Sequence, residues 1–174
     1  MSATERNRAV EAVDILNDFI GDCVASVNVF SDYSEKFKSN NTALVVIYRL
    51  CMSYLLLTLD KWLEFYDRYH KLIPADLHGE CKQLTKELRS RNIEDFRNTC
   101  VGHVWNKKKK RPLYNSEIDA ALERITKGDI PGFLKWVNDP SNNVFPATIV
   151  SIVETLKDRL SEEHKIDYAE IIKR

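Results

Sequence analysis

Glycine and proline number only five each in this 174-residue chain, and they separate long uninterrupted stretches. A sheet protein would need a turn signal about every 8–12 residues, so the spacing favours helices. Apolar residues at helical intervals fill the first stretch: Val10, Val13, Leu16, Ile20, Cys23, Val24, Val27 and Phe30. The expected fold is an all-α helical bundle, a single domain over 1–174, built on two long antiparallel helices plus shorter ones. With 44% hydrophobic and 30% charged residues, the chain has the composition of a soluble globular protein.

Lys and Arg total 26, against 26 Asp and Glu. That balance excludes a uniformly basic nucleic-acid binder, so any such role must come from a local patch. Cys23, Cys51, Cys81 and Cys100 form no C-x-x-C pair, which argues for reduced thiols over a zinc site or disulfide framework. The polar N-terminus MSATERNRAVEAVD does not resemble a secretory or transit signal, so the expected location is cytoplasmic.

The expected first helix runs from about Thr4 to the mid-thirties. It breaks at KFKSNNT, and Asn40 or Asn41 caps a second helix that continues to about His70. Within that second helix, TALVVIYRLCMSYLLLTL (42–59) is apolar enough to suggest a membrane span. Yet Arg49, Ser53, Asp60, Glu64 and Asp67 gather on one narrow seam of its wheel. Ala43, Val46, Ile47, Leu50, Tyr54 and Leu57 cover another face. A helix with a charged stripe and an apolar face is expected to be a core helix of a bundle, with no membrane involved.

Pro74 is expected to open a third helix, PADLHGECKQLTKELRSR, and Asn92 to cap a fourth, IEDFRNTCVGHVW. After the basic run NKKKKRPLY, a fifth helix is expected to start at Ser116 with Asp119 in a capping box, and to stop at Gly128. A short helix entered through Asp129 and Pro131 follows. The final segment PATIVSIVETLKDRLSEEH places Ile149, Ile152, Val153, Leu156 and Leu160 on one face.

The fourth helix carries the chemistry. With Arg97 as zero on the wheel, Ile93, Phe96, Cys100, Val101 and Val104 span an arc centred near about −40°. A guanidinium inside an apolar arc is costly unless it is paired, so the arc is expected to face a cleft or a partner subunit. His103 lies about 120° from Arg97 on an ideal helix, so the two converge only if Gly102 loosens the helix or two copies of it meet across a dimer. The next residues, Lys107, Lys108, Lys109, Lys110 and Arg111, bring residues 97–111 to six positive charges with no acid.

The segment RNTCVGH at 97–103, an Arg, a polar Asn and a His after a short gap, resembles the R-x(4–6)-H motif of the HEPN superfamily. YRLCMSYLLLTLDKWLEF, upstream of it, is similar to the abortive-infection and toxin-type branch. The resemblance covers residues 5–125 loosely, and only the seven motif residues are specific. A second match at Arg159–His164 has Leu160 in the polar position and Glu162 and Glu163 beside the His, and reads as a solvated helix end.

The resemblance implies an endoribonuclease, a toxin or anti-phage effector, that needs no metal and no cofactor. The 2′-hydroxyl of RNA would attack the adjacent phosphorus, leaving a 2′,3′-cyclic phosphate. His103 would act as general base or acid, Arg97 would hold the phosphate, and Asn98 would orient either. Lys107, Lys108, Lys109, Lys110 and Arg111 would bind the RNA backbone. Implied partners are RNA, a second copy forming a composite active site, and an antitoxin or regulator. Trp105 is expected in the core rather than stacked on a base, and Arg49 paired with a nearby acid rather than in the site. The alternative class is a non-catalytic helical binding module. A DNA-binding regulator is disfavoured, because no helix-turn-helix with a basic recognition helix is present.

Overall fold

In the computed structural model, which describes residues 3–101, 106 and 109–167, the first long helix is α1, Ala3–Lys36. A turn at 37–40 reverses the chain, and the side chain of Asn40 accepts from the Ala43 amide at 3.1 Å to start α2, Asn41–Tyr69. The pair is antiparallel: Phe30 meets Tyr48 at a centroid distance of 5.9 Å near the turn, and Tyr69 donates to Glu11 at the far end. α1 turns Val13, Leu16 and Cys23 inward, as the spacing predicts, and Phe19 rather than Ile20 beside them.

A short 3₁₀ turn, Ala75–Leu77, follows Pro74 and leads into α3, His78–Ser90. Asn92 then adopts a left-handed backbone (φ 57°), and its side chain makes no capping bond. It therefore acts as a hinge into α4, Ile93–Phe96, rather than as the expected side-chain cap; asparagine tolerates that conformation better than most residues. The remaining helices are α5 (Asn115–Thr126), α6 (Ile130–Val137) and α7 (Ile149–His164). α5 begins one residue before Ser116. Its start is bound by Glu117, whose carboxylate accepts from the Tyr114 amide at 2.6 Å, and not by Asp119. It stops as expected at Gly128 (φ 74°), whose amide reaches the Glu123 carbonyl at 2.9 Å. Among the described residues there is no strand, and the protein is an all-α bundle.

α7 packs on α1, while α3 and α4 pack on α2. One core links them, with the fully buried Trp62 near its centre. Its ring lies 6.1 Å from Phe19 and 5.5 Å from Phe65. Its N–H donates to Thr85 Oγ1 at 3.0 Å, and that hydroxyl donates on to the Cys81 carbonyl, so no polar atom there is stranded. Cys81, Cys23 and Cys51 are buried thiols, and burial raises the Cys81 pKa to about 12.

The apolar face expected to make α2 a core helix is corrected by the structure. α2 buries Cys51, Met52, Leu55, Leu56, Leu59, Trp62, Leu63 and Phe65 instead. Val46, Leu50 and Tyr54 stand in solvent; α1 packs along this half of α2, and α5 meets it at Arg49. Helix 41–72 is long and apolar enough to cross a membrane, with 33% of its most apolar window buried.

Candidate active site around Arg97

The fourth helix changes its winding at the motif. After Phe96 the α pattern gives way to a π turn over Arg97–Val101. Such i→i+5 turns widen a helix locally and are frequent at functional sites. Ile93 and Phe96 just before it are fully packed in the core, so the apolar arc of this helix faces the protein's own interior at that point and not a partner. The widened turn also removes the ideal-helix basis of the 120° offset between Arg97 and His103. His103 itself, with Gly102 and Trp105, lies outside the described residues.

Arg97 is the centre of a polar cluster. Its Nη1 donates to the carboxylates of Asp60, in a close ion pair, and Glu64, at 3.1 Å. Its Nε and Nη2 both donate to Asn98 Oδ1, each at 3.2 Å. The Asp60 side chain is only 5% exposed, against 32% for Arg97 and 61% for Glu64, so the cluster grades from core to solvent. Burial holds the Asp60 pKa above the usual carboxylate range. Arg97 opposes that rise, while Glu64 and Glu94 add to it. The apolar surroundings of Arg97 are thus answered by a buried carboxylate 37 residues earlier in the chain.

Sequence reasoning placed Asp60 and Glu64 on the seam of α2 without assigning them to Arg97. The charged residues of the seam each pair with a later element. Arg49 reaches Asp119 at 3.3 Å and Asn115 at 3.1 Å, as the expectation of an acid partner required. Asp67 takes Arg89 at 2.6 Å. Asn98 lines an open depression of about 300 Å³ with Arg89, Asn92, Glu94 and Asp95.

The described residues of the basic run, Lys109, Lys110 and Arg111, are pinned in place at both flanks. Asn106 and Arg111 pair through their backbones, and the Lys109 amide donates to Asn106 Oδ1 at 2.9 Å. Lys110 takes the left-handed conformation at the tip (φ 52°) and projects into solvent. Glu117 holds the other two described cations: Arg111 bidentately at 2.8 and 2.9 Å, and Lys109 in a close ion pair. These donors, with the Tyr114 amide, keep Glu117 far below the usual carboxylate range. Arg111 also lies 3.9 Å over the Tyr114 ring. Lys107 and Lys108 lie outside the described residues.

A cleft of about 210 Å³ separates the π turn from α5, lined by Thr99, Cys100, Asp95, Lys109 and Arg124 among others. Lys109 therefore faces the Thr99–Cys100 side of the π turn, whereas Arg97 and Asn98 face α2. The second motif match does not form a site. Arg159 pairs with Asp76 at 2.8 Å, and His164, expected to be solvated, is buried at the end of α7.

No protein-family model and no curated relative matches the chain. Among solved structures, the fold is similar to that of Vpc_cass2, an integron cassette protein from the mobile metagenome of V. paracholerae. The TM-score is 0.77 at 26% identity, over 92% of this chain and 98% of that one. The likeness extends along nearly the whole of both chains.

Proposed function

We propose that this protein is a HEPN-type endoribonuclease, a cytoplasmic toxin or anti-phage effector, with Arg97, Asn98 and His103 as its catalytic residues. The observation that carries the proposal is the π turn beginning at Arg97. It sets Arg97 and Asn98 side by side at the protein surface, with Asp60 and Glu64 fixing the guanidinium from below. The mobile-metagenome origin of the similar structure suits an effector of this kind.

In the proposed reaction the 2′-oxygen forms a bond to phosphorus as the bond to the 5′-oxygen breaks. One proton leaves the 2′-hydroxyl and one reaches the departing 5′-oxygen. His103 carries out one of these transfers. Arg97 offsets charge gathering on the non-bridging oxygens, and exchanges a carboxylate for the phosphate as it does so. Lys107, Lys108 and Lys110 supply backbone attraction, while Glu117 offsets that of Lys109 and Arg111.

The test is incubation with varied RNAs in EDTA. Wild type should cut, and His103→Ala should not. Arg97→Ala strands the Asp60 carboxylate, so the Asp60→Asn/Arg97→Ala double variant is the matching folded control and should also be inactive.

The adaptor reading has one observation in its favour: the donors of Arg97 already face Asp60, Glu64 and Asn98, as in a structural ion pair. Under that reading wild type leaves RNA uncut, and Arg97→Ala affects stability alone.

A further inference from the structure

The two carboxylates that hold Arg97 are not equivalent. Asp60 has 5% of its side chain exposed, while Glu64, one helical turn later on the same face of α2, has 61%. Parting Arg97 from Asp60 leaves a charge in the core, whereas Glu64 returns to water with little loss. Glu64 makes its only ion pair among the described residues with Arg97, at 3.1 Å. Arg68 lies one further turn along α2, is exposed and makes no ion pair among the described residues. A Glu four residues before an Arg is the favourable order on a helix, so Glu64 has a second cation to turn to.

A guanidinium carries five N–H groups. On Arg97, Nε and Nη2 each give one to Asn98 Oδ1, and Nη1 serves both Asp60 and Glu64. The remaining N–H, on Nη2, has no acceptor among the described residues. A phosphate that binds an arginine bidentately takes two N–H groups at once, and Arg97 in this state offers one. Release of Glu64 frees a second, on Nη1, and leaves Asp60 and Asn98 to hold the group. Charge points the same way. Asp60 and Glu64 set two carboxylates against one guanidinium, with Glu94 close by. Arg89, which lines the same depression as Asn98, is already bound to Asp67 at 2.6 Å. An approaching phosphate therefore meets excess negative charge until Glu64 leaves.

We infer that Glu64 is a built-in competitor for the phosphate site: it occupies Arg97 in the free protein and is the carboxylate that a phosphate displaces, while Asp60 stays as the anchor. The inference rests on the reading of Arg97 as the phosphate-binding group. It makes Glu64 a restraint on the site and Asp60 a positioning residue, although both bind the same nitrogen.

The experiment titrates inorganic phosphate into the full chain and follows the Arg97 Nε–H signal by heteronuclear NMR, assigned by its loss in Arg97→Lys. Glu64→Gln removes the charge and keeps the shape. It should bind phosphate about three- to tenfold more tightly than wild type, because a site held most of the time by its own competitor loses affinity in proportion. Glu64→Ala should behave in the same way. Glu94→Gln, which removes a neighbouring charge that does not bond Arg97, should change affinity by less than about twofold. In RNA cleavage Glu64→Gln should raise kcat/KM by a similar factor, through KM rather than kcat, a split that a merely structural role does not give. Equal phosphate affinity in wild type and both Glu64 variants overturns the inference and leaves the proposed reaction standing. A gain matched by Glu94→Gln also overturns it, and assigns the effect to net charge. A gain confined to Glu64 in a protein that cuts no RNA supports the inference and overturns the reaction. Absence of phosphate binding at Arg97 in every protein overturns both.

Discussion

The two halves of α2 share one helical hydropathy pattern and meet opposite surroundings. In the first half, Val45, Val46, Leu50 and Tyr54 face solvent, and the helix rests on α1, with α5 reached only through the Arg49 side chain among the polar contacts described. In the second, Trp62 and Phe65 are buried, and even the charged Asp60 is enclosed beneath Arg97. An apolar stripe alone therefore does not say whether the chain buries it; that depends on where later elements end. Here α3, α4 and the π turn end beside the second half. The first half keeps its apolar face in solvent.

The largest effect that sharpens this contrast belongs to Trp62. Trp62→Ala should cost about 3–5 kcal/mol in urea unfolding, because it opens a cavity beside Phe19 and Phe65 and removes the indole donor to the Thr85 hydroxyl. A loss below about 1 kcal/mol would break the assignment of this half to the core.

Arg97→Ala comes next, at about 1–3 kcal/mol at neutral pH, discounted because Arg97 is partly exposed and Glu64 more so. The loss has a characteristic pH dependence. Asp60 already titrates above its unfolded value, and removing Arg97 takes away an influence that lowers its pKa. A carboxyl raised in this way favours folding below its unfolded pKa, and that contribution is lost as pH rises through the folded pKa. The deficit of Arg97→Ala should therefore shrink as the solution is acidified through the Asp60 titration. Asp60→Asn in the same background should remove most of the deficit at neutral pH. A deficit independent of pH would show that Asp60 is not the group stranded.

A smaller effect concerns the basic turn. Glu117→Gln should release Lys109 and Arg111, tighten RNA binding and steepen the dependence of affinity on salt by about one to two in slope. An unchanged slope would remove both cations from the binding surface. The smallest is Leu50→Ala, expected within about 0.5 kcal/mol of wild type in urea unfolding, because Leu50 is exposed. A core-sized loss there would erase the difference between the halves of α2.

Much of the fold was legible because its signals are local. The helix starts at Asn40 and Asp129 and the stop at Gly128 follow from cap chemistry within three or four residues. α1 was legible from apolar spacing alone. The start of α5 was misassigned because Glu117 and Asp119 lie only two residues apart near it, and only the fold commits Asp119 to Arg49. The seam of α2 was visible as a row of polar residues, yet its partners arise from α3, the π turn and α5, at separations that no spacing rule spans. The π turn has no signature in RNTCV. The need of Arg97 for a counter-charge did follow from its place in an apolar arc, and Asp60 supplies it.

The most direct test of the proposed activity is the chemistry of the cut ends. An RNA cleaved by the wild-type protein in EDTA should carry 2′,3′-cyclic phosphate and 5′-hydroxyl termini. The same RNA with a single 2′-deoxy nucleotide at the cleavage position should resist cutting there. Cleavage that survives the deoxy substitution, or that persists unchanged in His103→Ala, would contradict it.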